Sequence, residues 1–410
     1  MKSVKKRIVI VGGGFGGLFT ALELQDAAEV TLISEEEHFT FRPLLYEYLS
    51  GEVEAWHIAP YYTELLPDGV AFAQGRVSDV DLAAQEVVLG NRRVSYDVLI
   101  LASGSTTNYW NIAGAEQFAL PFRGLADADA LRRKMTETLD AVQPDAAPQD
   151  ARHAATFVVV GAGASGVELA TKMSDLLHDA FSRRAIKGEP RVVVLEMSGE
   201  VVPGMGEELR LHVTQALKEC RVEAHLQTRV VKVEADGVTV EHNGAQEKIA
   251  AAATIWTAGV RVGPLVEKLS LAKNERGLLK VAPTLQARAY PNVFALGDIA
   301  AVEGVPPKLA GTAQLAFQEA NLLAQNVKAY LTGAALSVGE FAEMGEAVSL
   351  GVANAAVLVG ERAFAGPLAR QARFALYTSR LPTWHHRLKV SSSWFFSGTA
   401  PRPLQPLGWD

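Results

Sequence analysis

Apolar residues in this chain gather in short continuous runs, and several of these runs stop at glycine. RIVIV (7–11) runs into GGGFGG, and TFVVV (156–160) runs into GAGASG. A strand buried on both faces has this continuous character, whereas a half-exposed strand alternates. After each glycine cluster the apolar positions take up helical spacing, in LFTALEL and VELATKM. The pattern therefore predicts strand, tight turn and amphipathic helix, twice. VTLISEE and RVVVLEM read as the strands that follow each unit, ending at Glu35 and Glu196. SYDVLILASGSTTNYW (95–110) and AATIWTAGVRVGPL (252–265) are a second matched pair, each a strand closing on small residues. TLQARAYPNVFALGDIA (284–300) is a strand ending at Gly297-Asp298. AVSLGVANAAVLVG (347–360) carries Asn354 at its centre and reads as a hairpin.

The glycines carry chemistry. Gly12, Gly14 and Gly17 fit GxGxxG, and so do Gly161, Gly163 and Gly166. The first glycine permits the turn, the second lets a pyrophosphate reach the backbone, and the third brings helix and strand together. The phosphates then lie at a helix N-terminus. One such motif is weak evidence, but two in strand–turn–helix context predict two dinucleotide sites. Glu35 and Glu196 stand where a ribose-binding carboxylate belongs, although a solvated strand end would look the same. Gly297-Asp298 suits a carboxylate that accepts from a flavin ribityl hydroxyl, although GD is also a common turn.

The expected fold is α/β, with two Rossmann-like domains. An FAD domain (1–120 and 266–335) is split by an NAD(P)H domain (151–265), with a connecting helix and linker over 121–150. A C-terminal α+β and amphipathic-helix region covers 336–410.

Composition narrows the class. The chain has 410 residues, 49% apolar and 21% charged, with a net charge of −7, so nucleic acid is not an expected partner. The single Cys220 excludes a disulfide framework, a CxxC redox pair and a cysteine-ligated metal. The basic N-terminus resembles a secretion signal, but its apolar run ends in five glycines among six residues. No run reaches the ~18 apolar residues of a spanning helix, so the default address is cytoplasmic.

Charge is unevenly spread. Residues 362–410 hold seven basic residues (Arg362, Arg370, Arg373, Arg380, Arg387, Lys389 and Arg402) against Asp410, leaving thirteen net negative charges on residues 1–361. The same stretch contains Phe364, Phe374, Tyr377, Trp384, Trp394, Phe395, Phe396 and Trp409. Pro382 predicts two short helices. Basic residues with aromatics suit a helix lying on an anionic leaflet; a pair packed on the protein body or at a homodimer interface is the alternative.

With GGGFGG, FRPLLYEYLSGEV (41–53), GAGASGVELA, FALGDIA and AQLAFQ (313–318) in place, the chain resembles the type II NADH dehydrogenases, single-subunit FAD-dependent NAD(P)H:quinone oxidoreductases. RPLLYEYLSGEVEAWHIAP and RLPTWHHRLKV are similar to the demethylphylloquinone reductase branch. The resemblance implies noncovalent FAD, NADH or NADPH as donor, a membrane quinone as acceptor, and a place on the cytoplasmic side of the membrane. It implies that Ala313 approaches the isoalloxazine ring and that the amides of Gln314 and Gln318 border the quinone. It sets Glu168 near the nicotinamide and Tyr46 near the flavin. Read alone, the glutamines fit a solvated face, Glu168 a helix first turn, and Tyr46 a packed core. The family often has Asp at the end of the flavin strand, where this chain has Ser34 followed by Glu35. An acidic Glu196 favours NADH over NADPH, while the demethylphylloquinone reductase likeness pulls toward NADPH. Two rivals remain: a flavin reductase serving rubredoxin or ferredoxin, and a slow NAD(P)H-binding sensor or scaffold. A sulfide:quinone reductase would need paired cysteines.

Overall fold

The computed structural model describes residues 5–306, 308–360 and 362–405. Two compact units divide the chain. Unit 1 comprises 1–41, 59–106 and 260–344; unit 2 comprises 42–58, 107–259 and 345–410.

Unit 1 is built on an eight-stranded sheet. Arg7–Val11 is the middle of its five mutually parallel strands, next to Glu29–Ser34 on one side and Val98–Leu101 on the other, with Val9 between Thr31 and Leu99. Tyr290–Ala295 and Val70–Gln74 extend it in parallel on the two sides. Ile8, Ile10, Leu32, Leu99, Ile100 and Phe294 are fully buried, as expected for a sheet covered on both faces. Two helices pack on each other beside it: the first fingerprint helix, Phe15–Leu24, and the glutamine helix, Ala313–Thr332. Phe19 meets Phe317 edge to face at 4.9 Å. Thr312 caps the glutamine helix by accepting from Leu315 N.

Unit 2 holds a five-stranded parallel sheet in the order Val222–His225, Arg191–Leu195, Thr156–Val160, Ala253–Trp256, Ala119–Pro121. Behind the glycine turn comes the second fingerprint helix, Ala164–Arg183. An antiparallel sheet of Thr228–Glu234, Gly237–His242 and Ala245–Ala250 shares one apolar core with it, including Val158, Val193, Val238 and Trp256. The expected hairpin is present as Glu346–Leu350 and Asn354–Val359, joined by Arg362–Gly366. The tail forms two helices, Pro367–Ser379 and Trp384–Ser397, with Pro382 in the break and Thr383 capping the second. Trp409 and Asp410 lie outside the described residues.

Residues 42–58 group with unit 2, whereas 1–41 and 59–106 belong to unit 1. They form a short helix, Leu45–Leu49, that buries Tyr46 and Glu47. That excursion has no counterpart in the boundaries expected from sequence.

Candidate active site

The two glycine turns have the same construction. In unit 1, Gly12 has φ +107°, and a Cβ there would lie 2.3 Å from the Ala102 carbonyl oxygen. A Cβ on Gly17 would lie 1.8 Å from Gly12 O, so helix and strand touch through that glycine. Gly14 instead faces open space, with nothing within 4 Å of its Cβ position. In unit 2, Gly161 has φ +100°, a Cβ on Gly166 would again lie 1.8 Å from Gly161 O, and Gly163 is open. Gly14 and Gly163 are also the N-caps of their helices, and neither helix has a side-chain cap. Each turn is thus closed where backbone must meet backbone and open where a pyrophosphate would approach. The first-turn N–H groups point there with the positive end of the helix dipole.

One supporting residue was not legible in sequence. Tyr62 is buried, and its hydroxyl donates to Gly13 O at 2.7 Å. A Cβ on Gly13 would fall 2.0 Å from that hydroxyl. Nothing in the local pattern around Tyr62 points to the turn 49 positions away.

The carboxylates divide. Glu196 lies at its glycine turn: Oε2 accepts from Ala162 N and Oε1 from Ser198 N, both at 2.8 Å. Glu35 is exposed and pairs with Arg76 Nε at 3.0 Å. Ser34 ends the strand, and its Cβ stands 3.0 Å from where a Gly13 Cβ would be. At the same C-terminal end of the parallel strands, after Tyr290–Ala295, Gly297 takes φ +72°. Asp298 Oδ2 accepts from Ser105 Oγ at 2.6 Å.

Ala313 opens the glutamine helix and is half-buried. Gln314 and Gln318 do share a face, and they hold the backbone beside it. Gln314 Oε1 accepts from Met344 N at 3.0 Å. Gln318 Oε1 accepts from Ala342 N, and its Nε2 donates to Ala342 O, both at 3.0 Å. Gln318 therefore has both ends of its amide engaged. Gln314 Nε2 has no hydrogen bond among the described residues and stays available as a donor.

Unit 2 also buries a cluster of charges around the second fingerprint helix. Glu168 Oε1 accepts from Ser349 N at 2.8 Å and from Arg373 Nη2 at 3.0 Å. Arg373 Nη1 donates to Glu47 Oε1 at 2.7 Å. Lys172 is bonded to Glu52 and lies 3.5 Å from Glu47. Arg370 Nη2 donates to Glu52 Oε1 at 2.6 Å. Three acids and three bases thus join residues 42–58, the fingerprint helix and the first tail helix. Burial pushes the Glu168 carboxyl up to about 7, with Arg373 opposing and Glu47 assisting. For Glu47 burial acts in the same direction, but Arg373 and Lys172 outweigh it and hold it below the usual carboxylate range. Tyr46 lies beside Ser165 and Glu168, its ring tilted against Phe122 with centroids 5.5 Å apart, and burial raises the pKa of its hydroxyl.

The tail splits accordingly. Arg373 and most of Arg370 face inward, so two of its seven basic residues are not surface charges. Phe374 and Trp394 pack edge to face at 4.9 Å, and Arg373 covers Tyr377. Trp384, Leu388, Phe395 and Phe396 are 61%, 60%, 83% and 83% exposed. Among the described residues no helix is long and apolar enough to cross a membrane, and no group of His, Cys, Asp and Glu could hold a metal ion.

Comparison with known proteins gives consistent matches. Residues 6–320 match the family model described as pyridine nucleotide-disulphide oxidoreductase. The chain is 34% identical to a demethylphylloquinone reductase of Synechocystis over 96% of each chain. It is 33% identical to a type II NADH:quinone oxidoreductase of Mycobacterium tuberculosis, covering 95% of this chain and 87% of that one. Among solved structures, the Plasmodium falciparum NDH2 in complex with NADH superposes with a TM-score of 0.86 at 18% identity, over 98% of this chain and 100% of the other. That structural likeness bears on the fold.

Proposed function

Because the chain belongs to the pyridine nucleotide-disulphide oxidoreductase family, and within it to the type II NADH:quinone oxidoreductases, we infer that its two glycine turns divide the work, unit 1 taking FAD and unit 2 NAD(P)H. The protein is an FAD-dependent NAD(P)H:quinone oxidoreductase that does not pump protons. FAD supplies the chemistry, accepting a hydride from the reduced nicotinamide and giving two electrons to the quinone.

The protein's own residues bind and orient. The observation that carries the assignment is the repeated turn, closed at Gly12 and Gly17 and open at Gly14, and again at Gly161, Gly166 and Gly163. In unit 1 the open turn takes the pyrophosphate, and Asp298, already accepting from Ser105, takes a ribityl hydroxyl. The ribose contact falls to Ser34, whose side chain faces the turn, while Arg76 holds Glu35 aside. In unit 2, Glu196 receives the ribose 2′-hydroxyl. Its two backbone bonds leave acceptor capacity, since a carboxylate offers about four lone-pair sites. Glu168 acts one step back, anchoring the helix to residue 349 and to the tail. Gln314 offers its amide N–H to a quinone carbonyl, and Gln318 keeps the 342–344 backbone in place. The exposed apolar side chains of the second tail helix rest on the membrane surface, where a lipophilic quinone is found.

Anaerobic titration tests this. NADH is expected to bleach the flavin spectrum and a short-chain quinone to restore it. Reoxidation by a rubredoxin or ferredoxin but not by quinone would favour the rival reductase. Comparing kcat/KM for NADH and NADPH in wild type and Glu196→Gln tests the nucleotide side. The wild type is expected to prefer NADH, and the variant to lose at least about tenfold of that preference, since a carboxylate near a 2′-phosphate costs a few kcal/mol at an effective dielectric of about 20.

A further inference from the structure

The glutamine helix carries a buried carboxyl that no step above uses. Glu319 is 0% exposed. Its Oε2 accepts from Gly297 N at 2.6 Å. Gly297 has its left-handed conformation at that point, and its neighbour Asp298 is gripped by Ser105. Two bonds therefore fix one turn, Glu319 through its backbone and Ser105 through its side chain. Ala316, one helical turn before Glu319, stands 3.7 Å from where a Gly297 Cβ would be, so the helix bears directly on the turn. Glu319 Oε1 is buried with no partner among the described residues.

We propose that Glu319 is a positioning residue for the flavin: its carboxyl oxygen holds the Gly297 amide and so aims the Asp298 carboxylate at the ribityl chain. This rests on the FAD assignment to unit 1. The carboxyl does this as a neutral acid. Burial pushes it up to about 8, the Gly297 N–H pulls against that shift, and the nearby Asp298 adds to it. A neutral acid avoids setting a second negative charge beside Asp298. It also turns the unpartnered Oε1 into a hydroxyl donor, so an acceptor brought by the cofactor would relieve the penalty of an unmade buried hydrogen bond. Glutamine reproduces the acceptor and the neutrality. Aspartate keeps the acid but is one methylene shorter and draws back from Gly297. Leucine keeps the volume and removes the acceptor.

The test is FAD retention by purified holoenzyme, followed as free-flavin fluorescence after dilution, in wild type, Glu319→Gln, Glu319→Asp and Glu319→Leu. NADH binding by unit 2 serves as the check that each variant is folded. Glu319→Gln is expected to hold FAD within about threefold of wild type, and the Asp and Leu variants to release it at least about tenfold more readily, as loss of one buried hydrogen bond implies. If the Leu variant does not fold, the Gln and Asp pair decides. Equal retention in Gln and Asp, or loss of FAD in Gln, overturns the role given to Glu319. A wild type that carries no FAD would instead overturn the assignment of unit 1.

Discussion

Arg373 donates to Glu168 at 3.0 Å, although 205 positions separate the two in the chain. The same guanidinium reaches Glu47 at 2.7 Å, and all three side chains are almost wholly removed from solvent. Arginine suits this place because its fork serves two carboxylates at once and stays charged when buried. The pairing makes the tail a structural part of unit 2.

Removing Arg373 strands two buried acids. Arg373→Met is expected to destabilise unit 2 by about 3–5 kcal/mol, the usual cost of breaking a buried pair from one side. The Glu168→Gln/Arg373→Met double variant should recover part of that loss, because one orphaned charge is gone. Urea unfolding of both variants, with the single Glu168→Gln to complete the cycle, measures the coupling. Additivity of the two single changes would mean the contact contributes nothing.

The same pair sets a pH dependence. An unfolded glutamate ionises near 4.3, whereas burial raises folded Glu168 to about 7. Between those values the native state holds the extra proton, so stability falls as pH rises. Glu168's contribution is fully present below about 4.3 and is lost as pH passes through about 7. Glu168→Gln should remove this slope. Melting curves of both proteins from pH 5 to 8 test it, and parallel profiles would assign the titration elsewhere.

What the sequence disclosed was local. Each glycine turn lies within a dozen residues of its strand and helix, so both could be read in place, as could the helix break at Pro382. Glu196 fell where its strand ended. Tyr62 and the charge cluster were hidden because their partners are distant in sequence. Arg370 and Arg373 looked like members of a surface stripe, and only the fold brings Glu47, Glu52 and Glu168 to them. The glutamines show another limit: helical spacing put Gln314 and Gln318 on one face, but not which amide would be taken up by residues 342–344.

That difference separates the two glutamines by experiment. Gln314→Leu is expected to leave flavin reduction by NADH near wild type and to slow reoxidation by quinone about fivefold to tenfold, as loss of one hydrogen bond of about 1 kcal/mol implies. Gln318→Leu breaks three bonds within unit 1. It should lower thermal stability and raise protease sensitivity around residue 342. Stopped-flow of each half-reaction, with limited proteolysis, reads both. Equal slowing of the two half-reactions in Gln314→Leu would place that amide outside the quinone site.

The tail's two faces make opposite predictions. Trp384, Leu388 and Phe395 recur at helical spacing on the exposed side of the second tail helix, while His386 and Val390 are buried on the other. Lys389 lies over the Trp56 ring at 4.8 Å, keeping its charge near the exposed side. An aspartate at Leu388 or Phe395 adds charge at a largely exposed position, so folding should be nearly unaffected. Each should weaken binding to anionic vesicles, because an interfacial helix depends on its apolar face as well as its basic residues. High salt should weaken the wild type as well, since charge attraction is screened beyond about 10 Å at 0.1 M. Reaction with long-tailed quinones in vesicles should fall in step, and reaction with water-soluble short-chain quinones should not. Val390→Asp, on the inner side, should instead unfold the tail and lower the melting temperature. Vesicle flotation of the three variants, with turnover on both kinds of quinone, decides the matter. If Leu388→Asp and Phe395→Asp float like wild type, the exposed face does not serve the membrane.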